Sequence, residues 1–306
     1  MSDLSDAVEI GGLSRRYVVH VPSCPPASGR AVLVVLHGRR LTVPELRRIT
    51  HFDAIADRHG FIVVYPEGHK LSWNDGRGYS PAAVEGIDDV GYLRTLIDRV
   101  VARSGADKSR VAVVGMSNGA VMCHRLGLEL SDRITAIAAV SGLMPGRLAS
   151  LSPTHAVSAL LIHGSDDPIV PIDGGPPRSL YGRWTVWRLG GGPGKSEPVL
   201  SLAATAARWR EIDNCQPQSY RDVLPAAGKD RTSVERVVSP GGRGGSEVAT
   251  WIVMKGGHTW PGGPRLPTLG KTTSHFDAGE VIWEFVASHS SAAHQRLLAD
   301  QLPARG

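Results

Sequence analysis

Cysteines and long apolar runs are scarce in this sequence, and each shortage excludes a class of protein. The 306 residues include only Cys24, Cys123 and Cys215, and none of the three stands in a C-x-x-C motif. A zinc site, a redox pair and a disulfide framework therefore have no support. No apolar run reaches the roughly 18 residues that a membrane span needs, and the N-terminal stretch has no basic region followed by an apolar one, as a signal peptide would. These shortages predict a cytoplasmic protein that does not bind membranes.

Positive charge is spread along the chain, which disfavours nucleic-acid binding. The net charge is +5 and the isoelectric point is near 9.3, yet the arginines occur in many segments and form no single basic stripe. Solvated faces explain this pattern better than a surface for nucleic acid does. With 42% hydrophobic and 21% charged residues, the composition is that of an ordinary globular protein that can bury a large core.

Short apolar runs recur along the chain with the spacing of a parallel β-sheet. They are rich in β-branched residues and bounded by glycine, as buried parallel strands are. The runs are AVLVVLHG (31–38), FIVVYPEG (61–68), RVAVVGMS (110–117), ITAIAAVSG (134–142), AVSALLIHG (156–164) and EVATWIVMKG (247–256). Amphipathic stretches typical of helices lie at about 43–59, 86–105, 118–132, 201–214 and 277–289. The alternation predicts an α/β fold with a mostly parallel central sheet and helices on both faces.

Two segments interrupt this alternation. Residues 176–198 are rich in glycine and proline but carry three large aromatic residues, so we expect a flap over an apolar substrate pocket, with Trp184 as a candidate substrate contact. The alternative is a loop that packs permanently on the sheet edge or against a second subunit. Residues 239–246 are expected to form a flexible hairpin loop. The organisation predicted is a single domain over residues 1–290, followed by a C-terminal tail over 291–306.

A G-x-S-x-G motif, Gly115-Met116-Ser117-Asn118-Gly119, joins an apolar run to a helical pattern. This is the setting of a nucleophile elbow, in which the glycines let the backbone turn tightly and raise the serine Oγ above the sheet. The motif alone is a weak signal in a chain with 36 glycines. The alternative is an ordinary turn in which Ser117 caps the helix.

A serine nucleophile needs a base and an acid that orients the base, and in this arrangement the acid and the histidine follow the serine in that order. Asp166 and Asp167 both follow the apolar run that ends at residue 164. Asp167 is preferred because a rigid Asp-Pro-Ile-Val-Pro loop begins there, and Asp166 remains the alternative. His258 lies in the glycine-rich corner GGHTWPGG after the last apolar run, where the chain can bend back over the sheet edge. His258 is therefore the predicted base.

Other residues are candidates for contacts with the substrate. The tetrahedral oxyanion that forms when a serine attacks a carbonyl group needs two backbone N–H donors. Asn118 supplies one, and Arg39 or Arg40 supplies the other because both follow the strand that ends in LHG. Trp73 and Trp260 are candidates for the wall of an acyl pocket, with packing in the core as the alternative. The chain has no cluster of metal-ligating residues, so no metal or cofactor is expected.

Several segments together resemble the polyhydroxybutyrate depolymerase family of esterases, which also holds LpqC-like proteins and the feruloyl and acetylxylan esterases of carbohydrate esterase family 1. The resemblance covers residues 11 to about 289. It is carried by GGLSRRYVVHVP, LVVLHG, VVYPEG, SWNDGRG, IDDVGYLRTLID, RVAVVGMSNGAVMCHRL, HGSDDPIVP and GGHTWPGG. The resemblance implies an α/β-hydrolase fold, a triad of Ser117, Asp167 and His258, and ester hydrolysis without a cofactor.

The sequence departs from this family at three places. Arg39-Arg40 stands where small or polar residues are usual, and residues 176–198 are longer than the usual connection. Many relatives are secreted and pair a cysteine like Cys215 with one near the following hairpin, which here has none. The arginine pair and residues 176–198 are both expected on loops near the site, so these two departures put the range of substrates in doubt. The arginine pair also raises the hypothesis of a bound substrate carboxylate, with two solvated arginines as the alternative.

The sequence thus predicts a serine esterase that forms an acyl-enzyme and hydrolyses short 3-hydroxybutyrate oligomers or their polymer. Its partner would be a small-molecule or polymeric ester, with no nucleic acid and no membrane. A feruloyl or acetylxylan esterase is the alternative among enzymes. A non-catalytic binding protein of the same fold is the alternative of another class.

Overall fold

A ten-stranded sheet forms the centre of the protein. The computed structural model describes residues 2–24, 29–175, 197–217, 220–225 and 230–289. The strands are β1 Ser2–Ile10, β2 Leu13–Val21, β3 Val32–Leu36, β4 Ile62–Pro66, β5 Val111–Met116, β6 Ala136–Val140, β7 Ser158–Gly164, β8 Tyr220–Leu224, β9 Ser233–Ser239 and β10 Val248–Met254. Their order across the sheet is β1-β2-β4-β3-β5-β6-β7-β10-β9-β8.

The six central strands, from β4 to β10, run parallel, and an antiparallel pair extends each edge. All six apolar runs of the sequence became these parallel strands, so the predicted sheet is confirmed. The edge pairs β1–β2 and β8–β9 were not predicted. Charged and polar residues interrupt the sequences of these strands, which therefore lack the continuous apolar runs that mark the buried ones.

Helices cover both faces of the sheet. They are α1 Val43–Thr50, α2 Phe52–His59, α3 Pro81–Val84, α4 Asp89–Ser104, α5 Asn118–Glu129, α6 Leu202–Asp213 and α7 Ala278–Ser288. Helices α4, α5 and α6 pack with one apolar layer, and α1, α2 and α7 pack with the other. Along β3 the buried residues alternate between the layers, since Val34 belongs to the first and Leu33 and Val35 to the second.

The helical stretch predicted over residues 43–59 is two helices. His51 separates them with a left-handed backbone (φ 55°), and its N–H donates to Arg47 O as the cap of α1. No glycine or proline marks this break, so the apolar periodicity runs through it undisturbed. The residues 239–246 do join two antiparallel strands as a hairpin connection, which includes a short 3₁₀ turn at Arg243–Gly245.

This topology brings the ends of several strands to one edge. Residue 39 follows β3, Ser117 follows β5, Asp167 follows β7 and His258 follows β10, all at carboxyl ends of parallel strands. That edge is where open α/β sheets bind ligands. The predicted flap, apart from residues 197 and 198, and the predicted tail lie outside the described residues. None of the helices in the described ranges is both long and apolar enough to span a membrane.

Candidate active site

Ser117 occupies a strained turn between β5 and α5. Its backbone has φ 55° and ψ −117°, a region that residues with a side chain rarely adopt. Hydrogen bonds on both sides hold the turn: Ser117 N–H donates to Val140 O at 2.9 Å, and Ser117 O accepts from Val121 N–H at 3.0 Å. Its side chain makes no capping bond to the helix. The interpretation of Ser117 as an ordinary helix cap therefore lacks its defining contact, and the strain remains as a feature of the site.

Glycines make this turn sterically accessible. A Cβ on Gly119 would overlap Leu36 O, and a Cβ on Gly115 would overlap the backbone of Gly119. A Cβ on Gly38 would stand 3.4 Å from Cβ of Ser117. The close approach of β3, β5 and α5 around the serine thus depends on the two motif glycines, as the nucleophile-elbow hypothesis requires.

His258 and Asp167 form a buried pair. Nδ1 of His258 lies 2.7 Å from Oδ2 of Asp167, and the two residues are 4% and 6% exposed. Oδ1 of Asp167 accepts the backbone N–H groups of Ile169 and Val170, each at 2.8 Å. Burial would raise the pKa of Asp167, but the charge and hydrogen bond of His258 outweigh it and hold this pKa below its ordinary value. An ionised Asp167 keeps the proton of His258 on Nδ1, which leaves Nε2 as the basic nitrogen.

The structure distinguishes the two aspartates that the sequence left open. Asp166 is exposed, and its carboxylate accepts a hydrogen bond from the neighbouring Ser165 hydroxyl at 2.8 Å. Asp167, the preferred residue, is the one bonded to His258. His163 lies beneath them and is fully buried. Its Nε2 donates to Val170 O at 2.8 Å, and the same nitrogen lies 3.8 Å from Oδ2 of Asp167.

The glycine-rich corner carries His258 back over the sheet. Backbone of residues 256 and 257 lies so close to Gly164 that a Cβ there would overlap their carbonyl oxygens, and a Cβ on Gly257 would overlap Leu269 O. His258 N–H donates to that same Leu269 O at 2.7 Å. The glycines are therefore required for packing between the β10 corner and the β7 corner, and this packing sets the imidazole against Asp167.

Of the two arginines after β3, only Arg39 keeps its backbone N–H available. The N–H of Arg40 donates to Leu71 O at 2.9 Å. An amide committed to a carbonyl cannot also bind an oxyanion, which removes Arg40 from the pair of alternatives. Arg39 N–H and Asn118 N–H make no backbone hydrogen bond among the described residues. They flank Ser117 from β3 and α5.

His37 fixes the peptide that carries the Arg39 N–H. Its Nε2 accepts the N–H of Gly68 at 2.9 Å, so the proton of the neutral ring is on Nδ1, which donates to Gly38 O at 2.8 Å. Burial lowers the pKa of His37 and keeps the ring neutral. Gly38 O also accepts from Leu41 N–H at 3.1 Å. Because the carbonyl and N–H of a trans peptide point in opposite directions, holding Gly38 O also aims the N–H of Arg39.

The side chain of Asn118 ties a second loop to the turn at Ser117. Its Oδ1 accepts Trp73 N–H at 2.8 Å, and its Nδ2 donates to Asp75 Oδ2 at 2.6 Å. Asp75 in turn binds Arg77 through Nε and Nη2 at 2.9 and 2.6 Å. The loop SWNDGRG is therefore anchored to the residue after Ser117 by a network of buried polar groups.

The predicted aromatic walls are core residues. Trp73 is fully buried, and its Nε1 donates to His37 O at 2.9 Å, so it supports the loop after β3 from within. Trp260 is 3% exposed and packs edge-on against Phe52. Neither indole offers surface to a ligand, and the core alternative is correct for both. Trp184 lies outside the described residues and stays a prediction.

Three contributions to the site escaped sequence reasoning: the ring of His37, the carboxylate of Asp75 and the side-chain amide of Asn118. Each acts through a buried hydrogen bond to a residue distant in the chain. The only sequence signals were their positions in LHG, SWNDGRG and GMSNG, which mark the segments but give no pairing.

The family follows from a match that includes the nucleophile turn. Residues 15–185, more than half of the chain, match the family model described as Esterase PHB depolymerase. The chain belongs to this esterase family. It is accordingly a carboxylic ester hydrolase, as the sequence resemblance implied.

Curated relatives of this esterase carry several ester-hydrolase names. "Putative esterase NocK" of Nocardia uniformis subsp. tsuyamanensis is 28% identical over 91% of this chain and 81% of its own length. Poly(3-hydroxyalkanoate) depolymerase C of Paucimonas lemoignei is 30% identical over 40% of this chain, and the bifunctional acetylxylan esterase/xylanase XynS20E of Neocallimastix patriciarum is 28% identical over 52%. The matched parts span only 30% and 22% of the latter two proteins.

A solved structure has the same fold over nearly the whole chain. An acetyl xylan esterase from Aspergillus awamori superposes with a TM-score of 0.63, covering 94% of this esterase and 99% of that chain at 15% identity. This likeness in fold also covers the part of the chain that follows residue 185, where the family match ends. The predicted α/β-hydrolase fold is thereby confirmed.

Proposed function

We propose that this esterase acts through a covalent acyl-enzyme on Ser117, with His258 as the base and Asp167 as the residue that orients it. One observation carries the proposal: a strained serine turn after β5 and a buried carboxylate–histidine pair after β7 and β10 meet at one edge of the sheet. Nucleophilic catalysis by serine requires these parts and this geometry of base and orienting acid.

Acylation begins when Ser117 Oγ attacks the ester carbonyl carbon and Nε2 of His258 accepts the hydroxyl proton. The carbonyl oxygen becomes an oxyanion that the N–H groups of Arg39 and Asn118 stabilise. Collapse of this intermediate breaks the carbon–oxygen bond to the alcohol, which leaves with the proton from Nε2. Asp167 remains ionised and stabilises the imidazolium during the transfer.

Deacylation repeats these steps with water as the nucleophile. Nε2 of His258 accepts a proton from water as the hydroxide oxygen attacks the acyl carbon. The second tetrahedral intermediate collapses, the proton returns to Ser117 Oγ, and the acid product leaves. Each cycle consumes one ester and one water and yields one acid and one alcohol.

The substrate proposed is a short 3-hydroxybutyrate oligomer or its polymer. The family and the similarity to a poly(3-hydroxyalkanoate) depolymerase support it. Relatives named for acetylxylan and feruloyl esters support the alternative of plant-wall esters. We further propose that the protein works in the cytoplasm without nucleic acid or membrane, since Cys24, Cys123 and Cys215 are all unpaired.

The mechanism is tested by covalent labelling of Ser117. A fluorophosphonate probe should add once to the wild-type protein at Ser117, and Ser117→Ala should lose both the label and ester turnover while keeping the melting temperature. A folded wild-type protein that takes no label would instead favour a non-catalytic binding protein of this fold. Rates on 3-hydroxybutyrate trimer, methyl ferulate and acetylated xylan oligomers, compared as kcat/KM, decide the substrate class.

A further inference from the structure

Arg39 is on the loop after β3, and its side chain faces the loop that Asn118 anchors. Its guanidinium carbon stands 5.4 Å from the centre of the Tyr79 ring. Tyr79 directly follows the SWNDGRG loop, which is held to the nucleophile turn through Trp73 and Asp75. The cation of Arg39 is therefore at the same edge of the sheet as Ser117, on the residue whose N–H faces the reacting carbonyl.

Two arginines contact this tyrosine ring, and they differ in how their charge is balanced. Arg77, at 4.9 Å from the ring centre, is buried and forms an ion pair with Asp75 at 2.6 Å. Arg39 forms no ion pair with any carboxylate in the described part of the chain, and its Nη1 is buried without a hydrogen-bond partner. A buried donor of a charged group without a partner is rare in native proteins, and an unseen ligand is one of its ordinary explanations.

The surrounding charge supports an anionic ligand. Arg40 is the exposed neighbour of Arg39, and Arg147 donates to Gly76 O on the anchored loop at 3.2 Å. The carboxylate of Asp75 is already committed to Arg77 and Asn118. Asp89 and Glu197 also contact this loop, and neither is free. Asp89 accepts Asn74 N–H at 2.7 Å and pairs with Arg15, and Glu197, whose N–H donates to Arg77 O, has a partner already.

We propose that this esterase prefers esters that carry a free carboxylate near the scissile bond, and that the guanidinium of Arg39 binds that carboxylate. The inference rests on the proposed function, since it assigns a substrate class to the same site. One residue would then bind two parts of the substrate: its backbone N–H binds the oxyanion, and its side chain binds the carboxylate through paired N–H donors. The carboxylate could belong to the alcohol, as in a hydroxyacid dimer, or to the acyl group, as in a half-ester of a dicarboxylic acid.

Matched substrate pairs separate the carboxylate from the ester itself. The first pair is the 3-hydroxybutyrate dimer and its terminal amide, in which the charge lies on the alcohol part. The second pair is mono-p-nitrophenyl glutarate and its methyl ester, in which the charge lies on the acyl part. The quantity measured is the ratio of kcat/KM for the charged substrate to that for its neutral partner, with cleavage of the dimers followed by chromatography.

Arg39→Gln removes the charge but keeps the backbone N–H, and Arg40→Gln is the matched control because it removes the same charge one residue away. We expect Arg39→Gln to lower the ratio about 10- to 100-fold for one pair, the usual range for a charge-assisted hydrogen bond. Arg39→Lys should restore part of it, and Arg40→Gln should change it by less than about 3-fold. The pair that responds identifies the side of the ester.

Two results would overturn the proposal. One is an unchanged ratio for both pairs in a folded Arg39→Gln protein. The other is an equal drop in Arg40→Gln, which would mean that the preference comes from the general positive potential. Failure of the proposed function is recognised separately. In that case the wild-type protein would not cleave the neutral substrates of the two pairs, and it would not react with the fluorophosphonate probe.

Discussion

Oδ2 of Asp167 lies 2.7 Å from Nδ1 of His258, while the adjacent Asp166 is exposed and its carboxylate accepts a hydrogen bond from its neighbour Ser165. Adjacent residues of the same type thus have opposite environments at the end of β7. The two backbone N–H groups that bind Oδ1 of Asp167 fix the carboxylate before any substrate arrives. If the imidazole rotated out of contact with Oδ2, the carboxylate would remain buried without its hydrogen-bond partner. The free-energy cost of this unpaired buried charge keeps the ring oriented.

We therefore expect Asp167→Asn to lower kcat by about 10⁴-fold, since the amide would favour the wrong tautomer of His258. Asp166→Asn should keep kcat within about 3-fold, because its carboxylate contacts neither His258 nor the buried donors. Both variants should retain the fluorophosphonate site, and circular dichroism should verify the fold. If the loss occurred in Asp166→Asn and not in Asp167→Asn, the assignment of the acid would be wrong.

The hydrogen bond from His37 Nδ1 to Gly38 O leads to a second prediction. His37→Gln can place a group near Nε2 but not near Nδ1, whereas His37→Asn can place its amide nitrogen near Nδ1 and donate to Gly38 O. We expect His37→Gln to lower kcat about 10- to 100-fold with little change in KM, a smaller effect than deleting an oxyanion donor. His37→Asn should lose less.

The comparison of these two His37 variants separates positioning from folding. Both lose the ring that packs against Trp73 and should lower the melting temperature similarly. Equal kcat values in the two variants would show that the Nδ1 donor does not position the Arg39 peptide. A rise in KM alone, with kcat unchanged, would contradict a role confined to the transition state.

The sequence was most informative where local pattern and chemistry coincide. Buried parallel strands have continuous apolar runs, and Ser117, Asp167 and His258 each follow such a run, so their shared edge could be predicted. The choice between Arg39 and Arg40 could not, because it depends on a hydrogen bond to Leu71, which is far along the chain. Trp73 was ambiguous for a related reason: an indole in a loop packs or binds ligand according to its neighbours in space, and only the structure supplies them.

His124 gives a prediction about stability and pH. Burial lowers its pKa from 6.5 to about 4, and its Nδ1 accepts a hydrogen bond from Trp209 Nε1 at 3.0 Å. Below pH 6.5 the unfolded chain binds a proton at His124 that the folded protein does not, so this residue lowers stability as the pH falls toward 4. The contribution between pH 7 and pH 5 is about 2 kcal/mol. Burial raises the pKa of Asp213 to about 6, so this residue has the opposite effect and raises stability as the pH falls.

Because of that opposing group, the test compares wild type with His124→Asn, whose Oδ1 can still accept from Trp209. Urea unfolding at pH 7 and pH 5 gives the change in unfolding free energy for each protein. The decrease on acidification should be about 2 kcal/mol smaller in the variant, whatever its stability at pH 7. Identical pH dependence in both proteins would mean that His124 takes up its proton over the same pH range in the folded protein as in the unfolded chain.

Cys215 and Gly242 give the last prediction, which concerns a disulfide that could be introduced between the end of α6 and the connection from β9 to β10. A Cβ built on Gly242 would stand 2.7 Å from Cys215 Sγ, and sulfur lies about 3 Å from the opposite Cβ in a disulfide, so a small shift suffices. That Cβ would also overlap Ser246 Oγ, an atom without a hydrogen-bond partner, so the variant is Gly242→Cys with Ser246→Ala. After oxidation it should contain a bond that closes a loop of about 28 residues and raises the free energy of unfolding by about 3 kcal/mol.

Mass spectrometry of peptides detects the bond, and urea unfolding with and without dithiothreitol measures its effect. Adding Cys215→Ser should abolish both, and an oxidised variant no more stable than its reduced form would mean that the hairpin does not accommodate the bond without strain.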